Sequence, residues 1–110
     1  MKASEEDFLV TTTSHFDGMV IVKYLGVVFE ETVMLASIWR RLSLKYTFGG
    51  ELGKLAKPLK EARERAVGRL IEQAKSLGAN AIVGLHVDYE RVVDGFIVSA
   101  YGTAVVVEKS

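Results

Sequence analysis

"SLGANAIVGLHVDYE", residues 76–90, decides the fold, because one kind of structure ends inside it and another begins. Upstream, Leu55, Leu59, Ala62, Ala66, Leu70, Ala74 and Leu77 recur at helical spacing and form one apolar stripe. Gly78 then stands where a left-handed C-terminal cap is expected. From Ala81 the pattern alternates, as in a strand with one wet face. The even positions of that strand carry His86, Asp88 and Glu90.

The stretch is followed by its own return. A first strand is predicted from Ala81 to about Arg91 and a second from about Phe96 to Val107, with Asp94-Gly95 as a two-residue turn. That turn places His86 opposite Thr103, Asp88 opposite Tyr101 and Glu90 opposite Ser99, polar against polar. Before the stripe, Pro58 is predicted in the helix's first turn, where a missing N–H costs nothing. Glu61 and Arg65 have the spacing of an i,i+4 ion pair. Gly68 reads either as close approach by another backbone or as a glycine merely tolerated there.

Toward the N-terminus, Phe8–Thr13 and Met19–Phe29 read as adjacent strands joined by the turn cluster Ser14–Gly18. Leu35, Ile38, Trp39, Leu42 and Tyr46 predict a further helix. The glycines of "FGGELG", Phe48–Gly53, separate it from the next one. Residues 1–7 are polar and expected to fray. The sum is a single α+β domain, 1–110, in β-β-α-α-β-β order. Its antiparallel sheet of about four strands has two helices between the second and third.

Composition bounds the function. Apolar residues make 49% of the chain and mean hydropathy is +0.21. A domain this short leaves much of its chain in water, so apolar side chains must face outward, and a second copy is the simplest cover. The long strand sharpens this: Val20, Val22, Tyr24 and Val28 are expected on one face, and Ile21, Leu25, Val27 and Phe29 on the other. Net charge is zero and pI about 6.7, so nucleic acid is not expected as a partner. The charge is uneven, with ten Lys/Arg against four Asp/Glu between Arg40 and Lys75. That is either a solvated helix surface or a stripe that meets an acidic partner. Cysteine is absent, which removes disulfides and thiolate metal sites. Nothing in "MKASEEDFLV" reads as a signal peptide, and no apolar run reaches membrane-spanning length. A soluble, cytoplasmic protein is expected, with no membrane partner.

The chemical candidates are few. His86, Asp88 and Glu90 share one strand face, with neighbours about 6–7 Å apart. Imidazole with carboxylates would suit a divalent transition metal. Tyr101, expected opposite Asp88, joins them as a ligand-binding candidate. The same residues read equally as a hydrated, hydrogen-bonded strand face. His15 and Asp17 form a turn pair that could act as a base or simply be exposed. Trp39 with Arg40 and Arg41 could grip a ligand by stacking, or be a half-buried ring beside solvated arginines. No nucleophile motif, phosphate loop or dinucleotide fingerprint is present, so no enzyme is expected and no cofactor is fixed.

Several stretches taken together resemble the YbjQ-like family of small bacterial and archaeal proteins. They are "VTTT" (10–13), "IVKYLGVVF" (21–29), "EARERAVGRLIEQAKSLGANAIVG" (61–84), "DYE" (88–90) and "VSAYGTAVVVE" (98–108). The resemblance runs from about Leu9 to Glu108. It implies an α+β fold with a curved antiparallel sheet, ring-like homo-oligomers, typically pentamers, and a heavy-metal-binding label. One departure lies where the family's usual Gly-Gly-Arg-Ser-Gly stands here as Gly49-Gly50-Glu51-Leu52-Gly53.

Overall fold

The computed structural model describes residues 8–35 and 51–110. Strand β1 is Leu9–Val10, β2 Met19–Leu35, helix α1 Glu51–Ser76, β3 Ala81–Val92 and β4 Gly95–Lys109. The order among the described residues is therefore β-β-α-β-β, with one helix rather than the expected two. The helix predicted around Ile38 to Tyr46, Trp39–Arg41 included, lies outside the described residues, and Thr32–Leu35, which the sequence leaves open between helix and strand, is the end of β2. The four strands form one sheet in the order β1-β3-β4-β2. It is mixed, not purely antiparallel: β1 runs parallel to β3, and the other pairs are antiparallel.

The strand order corrects the expectation that β1 and β2 are neighbours, since they occupy opposite edges. Thr11 N–H donates to Ile82 C=O at 3.0 Å and Gly84 N–H to Thr13 C=O at 2.8 Å, extending the β1 contact along β3. Residues 14–18 must then reach the far edge, and they cross the sheet face opposite the helix. Phe16 makes the crossing favourable. It packs with Leu9, Met19 and Ile21 on the buried cluster of Ala81, Val83, Val105 and Val107. Burying an aromatic ring in part outweighs a short adjacent hairpin whose apolar side chains would lack that cover.

Helix α1 covers the other face. Ala62, Ala66, Leu70 and Ala74 are buried against Val28, Ile82, Val98, Ala100 and Ala104. Alanine meets alanine across this layer, so helix and sheet approach closely. Leu70 is the largest fully buried helical side chain, and such burial contributes about 1.5–3 kcal/mol. The helix ends as predicted, with Gly78 at φ +93 and its N–H donating to Lys75 C=O at 2.9 Å. Its start is earlier than predicted, so Pro58 lies in the interior rather than the first turn. Gly68 has open space where a Cβ would stand, so no described backbone approaches it. Glu61 and Arg65 form no ion pair. Asn80 then enters the sheet with its side chain. Its amide donates to Val107 C=O at 3.0 Å and accepts from Val107 N–H at 2.8 Å, imitating a strand residue.

The β3–β4 hairpin exists, but its register differs by two residues from the prediction. The two-residue turn is Val93-Asp94, and Val92 pairs with Gly95. Gly95 is needed elsewhere: a Cβ there would strike the Met34 carbonyl of β2. His86 consequently faces Tyr101, Asp88 faces Ser99 and Glu90 faces Ile97. From His86 to Val92 this two-residue displacement keeps each side chain on its predicted face, whereas below the bulge Val83 changes face. Further down, a bulge sets Gly84 and Leu85 against Gly102, with Gly84 at φ +66. A Cβ on Gly102 would stand 2.7 Å from Ile82 Cγ2, so the bulge needs glycine on both strands.

Strand β2 carries two more irregularities, at Val22 and Leu25. Each resets the alternation: Ile21, Val27 and Phe29 share a face as expected, but Tyr24 joins them and Leu25 moves to the side of Val28. Ile21, Tyr24, Val27, Phe29, Glu31, Val33 and Leu35 pair with odd-numbered residues of β4 and share the outer face with them. Leu25, Val28 and Met34 pack toward the helix.

Candidate functional site on the outer sheet face

Beyond the Phe16 crossing, no described residue covers the outer face. Three rows run across it from β3 through β4 to β2: His86–Tyr101–Phe29, Asp88–Ser99–Glu31 and Glu90–Ile97–Val33. The structure thus brings the four predicted site residues onto one surface, and adds Phe29, Ser99 and Glu31.

Their contacts form a continuous chain. The His86 ring stacks on Tyr101, with centroids 5.4 Å apart and planes at 8°. Tyr101 in turn meets Phe29 at 5.9 Å and a tilt of 32°. Tyr101 OH donates to Asp88 Oδ2 at 3.1 Å. The Asp88 carboxylate holds that proton, so the Tyr101 phenol is pushed above its ordinary range, with desolvation and Asp88's charge adding to the effect. Ser99 Oγ donates to Glu31 Oε2 at 3.4 Å, and His86 Nδ1 lies 3.3 Å from Gly84 C=O. Cross-strand pairing of this kind fixes side chains in place at modest energy.

This arrangement is a poor metal site within one chain. Among the described residues no group of three His, Asp or Glu side chains could hold an ion. One Asp88 oxygen is engaged by the Tyr101 hydroxyl. A soft heavy metal prefers thiolate, and the chain has no cysteine. The His15–Asp17 pair stands apart in the loop, 3.7 Å from Nε2 to Oδ1 and largely in solvent.

Beside the polar rows the face is apolar along β2. Val27 is 75% exposed, Tyr24 69%, Val33 59% and Phe29 49%, and Leu35 adds to them. These residues lie on β2; sequence reading put Val27 and Phe29 on one face but missed Tyr24 beside them. The signal that would have found it is the pair of bulges, which valine-rich sequence does not announce. No helix of the described residues is long and apolar enough to cross a membrane.

Comparison with known proteins gives a consistent picture. Residues 8–108 match a YbjQ family model described as "Putative heavy-metal-binding". A "UPF0145 protein" of Bacillus cereus is 47% identical over 100 residues, which is 88% of this chain and 97% of that one. A counterpart from Bacillus thuringiensis subsp. konkukian matches to the same extent. The crystal structure of a Pediococcus pentosaceus protein "with unknown function" superposes with a TM-score of 0.61. It covers 90% of this chain and 96% of its own at 20% identity, a likeness of fold alone.

Proposed function

The chain belongs to the YbjQ family, and from that premise we propose that it is a non-enzymatic homo-oligomer assembled through the outer face of β2. The carrying observation is the row of exposed apolar side chains at Tyr24, Val27, Phe29, Val33 and Leu35. Contiguous apolar surface of this kind marks an interaction site, and symmetric self-association is its commonest use. A ring of five is the count that the family resemblance supplies. The polar rows beside the apolar one then limit register, because Glu31, Asp88 and Glu90 resist being paired with copies of themselves.

The donor set supports assembly rather than a resident metal. His86, Tyr101 and Asp88 satisfy one another as a hydrogen-bonded, stacked cluster. In this reading they orient the interface or meet a small ligand at its rim. No paired acid, base and nucleophile converges there among the described residues, which supports a non-catalytic role.

Native mass spectrometry of untagged protein, with elemental analysis of the same sample, tests the reading. A discrete oligomer without stoichiometric metal is the expected result. A monomer at micromolar concentration would overturn the assembly. One metal ion per chain would overturn the donor argument.

A further inference from the structure

A second surface lies on the helix side of β2, away from the outer face. It is a groove of about 550 Å³ between α1 and the edge of the sheet, lined by Glu30, Arg65, Gly68, Arg69, Glu72 and Gln73. Its volume falls in the range of small-molecule sites, roughly 300–1,000 Å³. One wall is fixed by a hydrogen bond. Gln73 Oε1 accepts the Phe29 backbone N–H at 3.1 Å, so the amide hydrogens of Gln73 remain as donors. Gly68 has open space at its Cβ position, which keeps the middle of the groove clear.

The arginine charges in the groove are unspent among the described residues. Arg65 and Arg69 stand one turn apart on the same flank of α1, and neither makes an ion pair or hydrogen bond to a described residue. Of the two carboxylates, Glu72 is paired with Lys75 at 3.6 Å. Glu30 forms no ion pair with either guanidinium. Two cations on the helix therefore face one carboxylate on the strand, with space between them.

We propose that this groove binds a small organic anion, a carboxylate or phosphate, that also carries a hydroxyl or amino group. The guanidinium forks of Arg65 and Arg69 match the planar or tetrahedral anion. The Gln73 amide donates to the same end. Glu30, on the opposite wall, accepts from the hydroxyl or ammonium. A plain anion would gain the arginines but leave Glu30 as a repulsive neighbour, so the site discriminates by the second group.

Amide NMR spectra of the full chain, titrated at fixed ionic strength with inorganic phosphate, glycolate and acetate, test this. The Phe29 backbone amide and the Gln73 side-chain amide are expected to shift saturably with phosphate, glycolate or both. Saturation by phosphate alone identifies a phosphorylated ligand, and by glycolate alone a hydroxy acid. Glycolate should bind several-fold tighter than acetate, and Glu30→Gln should remove that preference. Arg65→Ala with Arg69→Ala should weaken binding about tenfold or more. Both arginines are solvent-exposed, and an unchanged circular dichroism spectrum certifies the fold of that variant. Uniform, non-saturating shifts, or affinity unchanged by the double substitution, would overturn the proposal. The readout does not depend on the number of copies in the assembly, so it can fail or succeed separately from the interface on the outer face.

Discussion

Strands β2 and β4 lie side by side and are built from the same valine-rich vocabulary, yet they meet opposite environments. Val98, Ala100, Ala104, Val105 and Val107 of β4 are buried. It is central, flanked by β3 and β2, and covered by the helix on one side and partly by Phe16 on the other. Strand β2 is an edge strand, bulged twice, and among the described residues it carries most of the exposed large apolar side chains, five of them on its outer face. Similar sequence therefore does two jobs, and position in the sheet decides which. Bulges also protect an edge against uncontrolled pairing, so β2 is open on its face while irregular along its border.

The comparison can be broken or sharpened by substitution. The largest effect on stability is expected on the covered side. Leu70→Ala should lose about 2–5 kcal/mol in urea unfolding, because Leu70 is fully buried beneath the sheet. A loss well below that range would mean the helix layer is not the main core. Asn80→Ala comes next, at about 1–3 kcal/mol. It removes two hydrogen bonds to Val107 and strands that residue's backbone groups.

Val33→Asp acts on the open side. Its effect on folding should stay within about 0.5 kcal/mol, while light scattering should show the oligomer lost or reduced. An unchanged oligomer would move the interface away from the outer face of β2. The smallest effect is expected at Asp88→Asn. Wild-type Tyr101 holds its proton to a higher pH than an ordinary phenol because Asp88 accepts it. The contribution of this bond is present below the ordinary phenol range and is lost as pH rises through the elevated value. The D88N variant should therefore form phenolate at lower pH in an ultraviolet titration. Identical curves would show that the Tyr101–Asp88 bond is not maintained in solution.

What could be read from the sequence follows from what leaves a chemical mark. The end of α1 did, because Gly78 must adopt a left-handed backbone and says so. The sharing of one face by His86, Asp88, Glu90 and Tyr101 did as well, because alternation survives any two-residue displacement. The register itself did not. Asp94-Gly95 carries a strong turn signature, but Gly95 is reserved for the close approach of Met34. The bulges in β2 left no mark, since valine suits either face. The strand order was hidden because β1 has only two residues, and because Phe16 looks like part of a turn until its packing partners are known. The groove beside α1 was equally hidden: Arg65, Arg69 and Gln73 read as a solvated helix face until Glu30 is placed across from them.

The parallel pairing of Leu9 with Ala81 and Val10 with Ile82 has a kinetic meaning. The β3–β4 hairpin closes locally, whereas β1 must wait until a strand far along the chain has formed. Joining such distant segments carries a larger loop-closure cost and only two residues of strand to offset it. The Phe8–Gly18 segment is thus expected to dock last during folding and to open first in the native state. Amide hydrogen exchange should then find Leu9 and Thr11 far less protected than Val98 or Val105. In such an opening the Phe16 crossing would lift with β1, uncovering the apolar patch beneath it while the hairpin and helix remain intact.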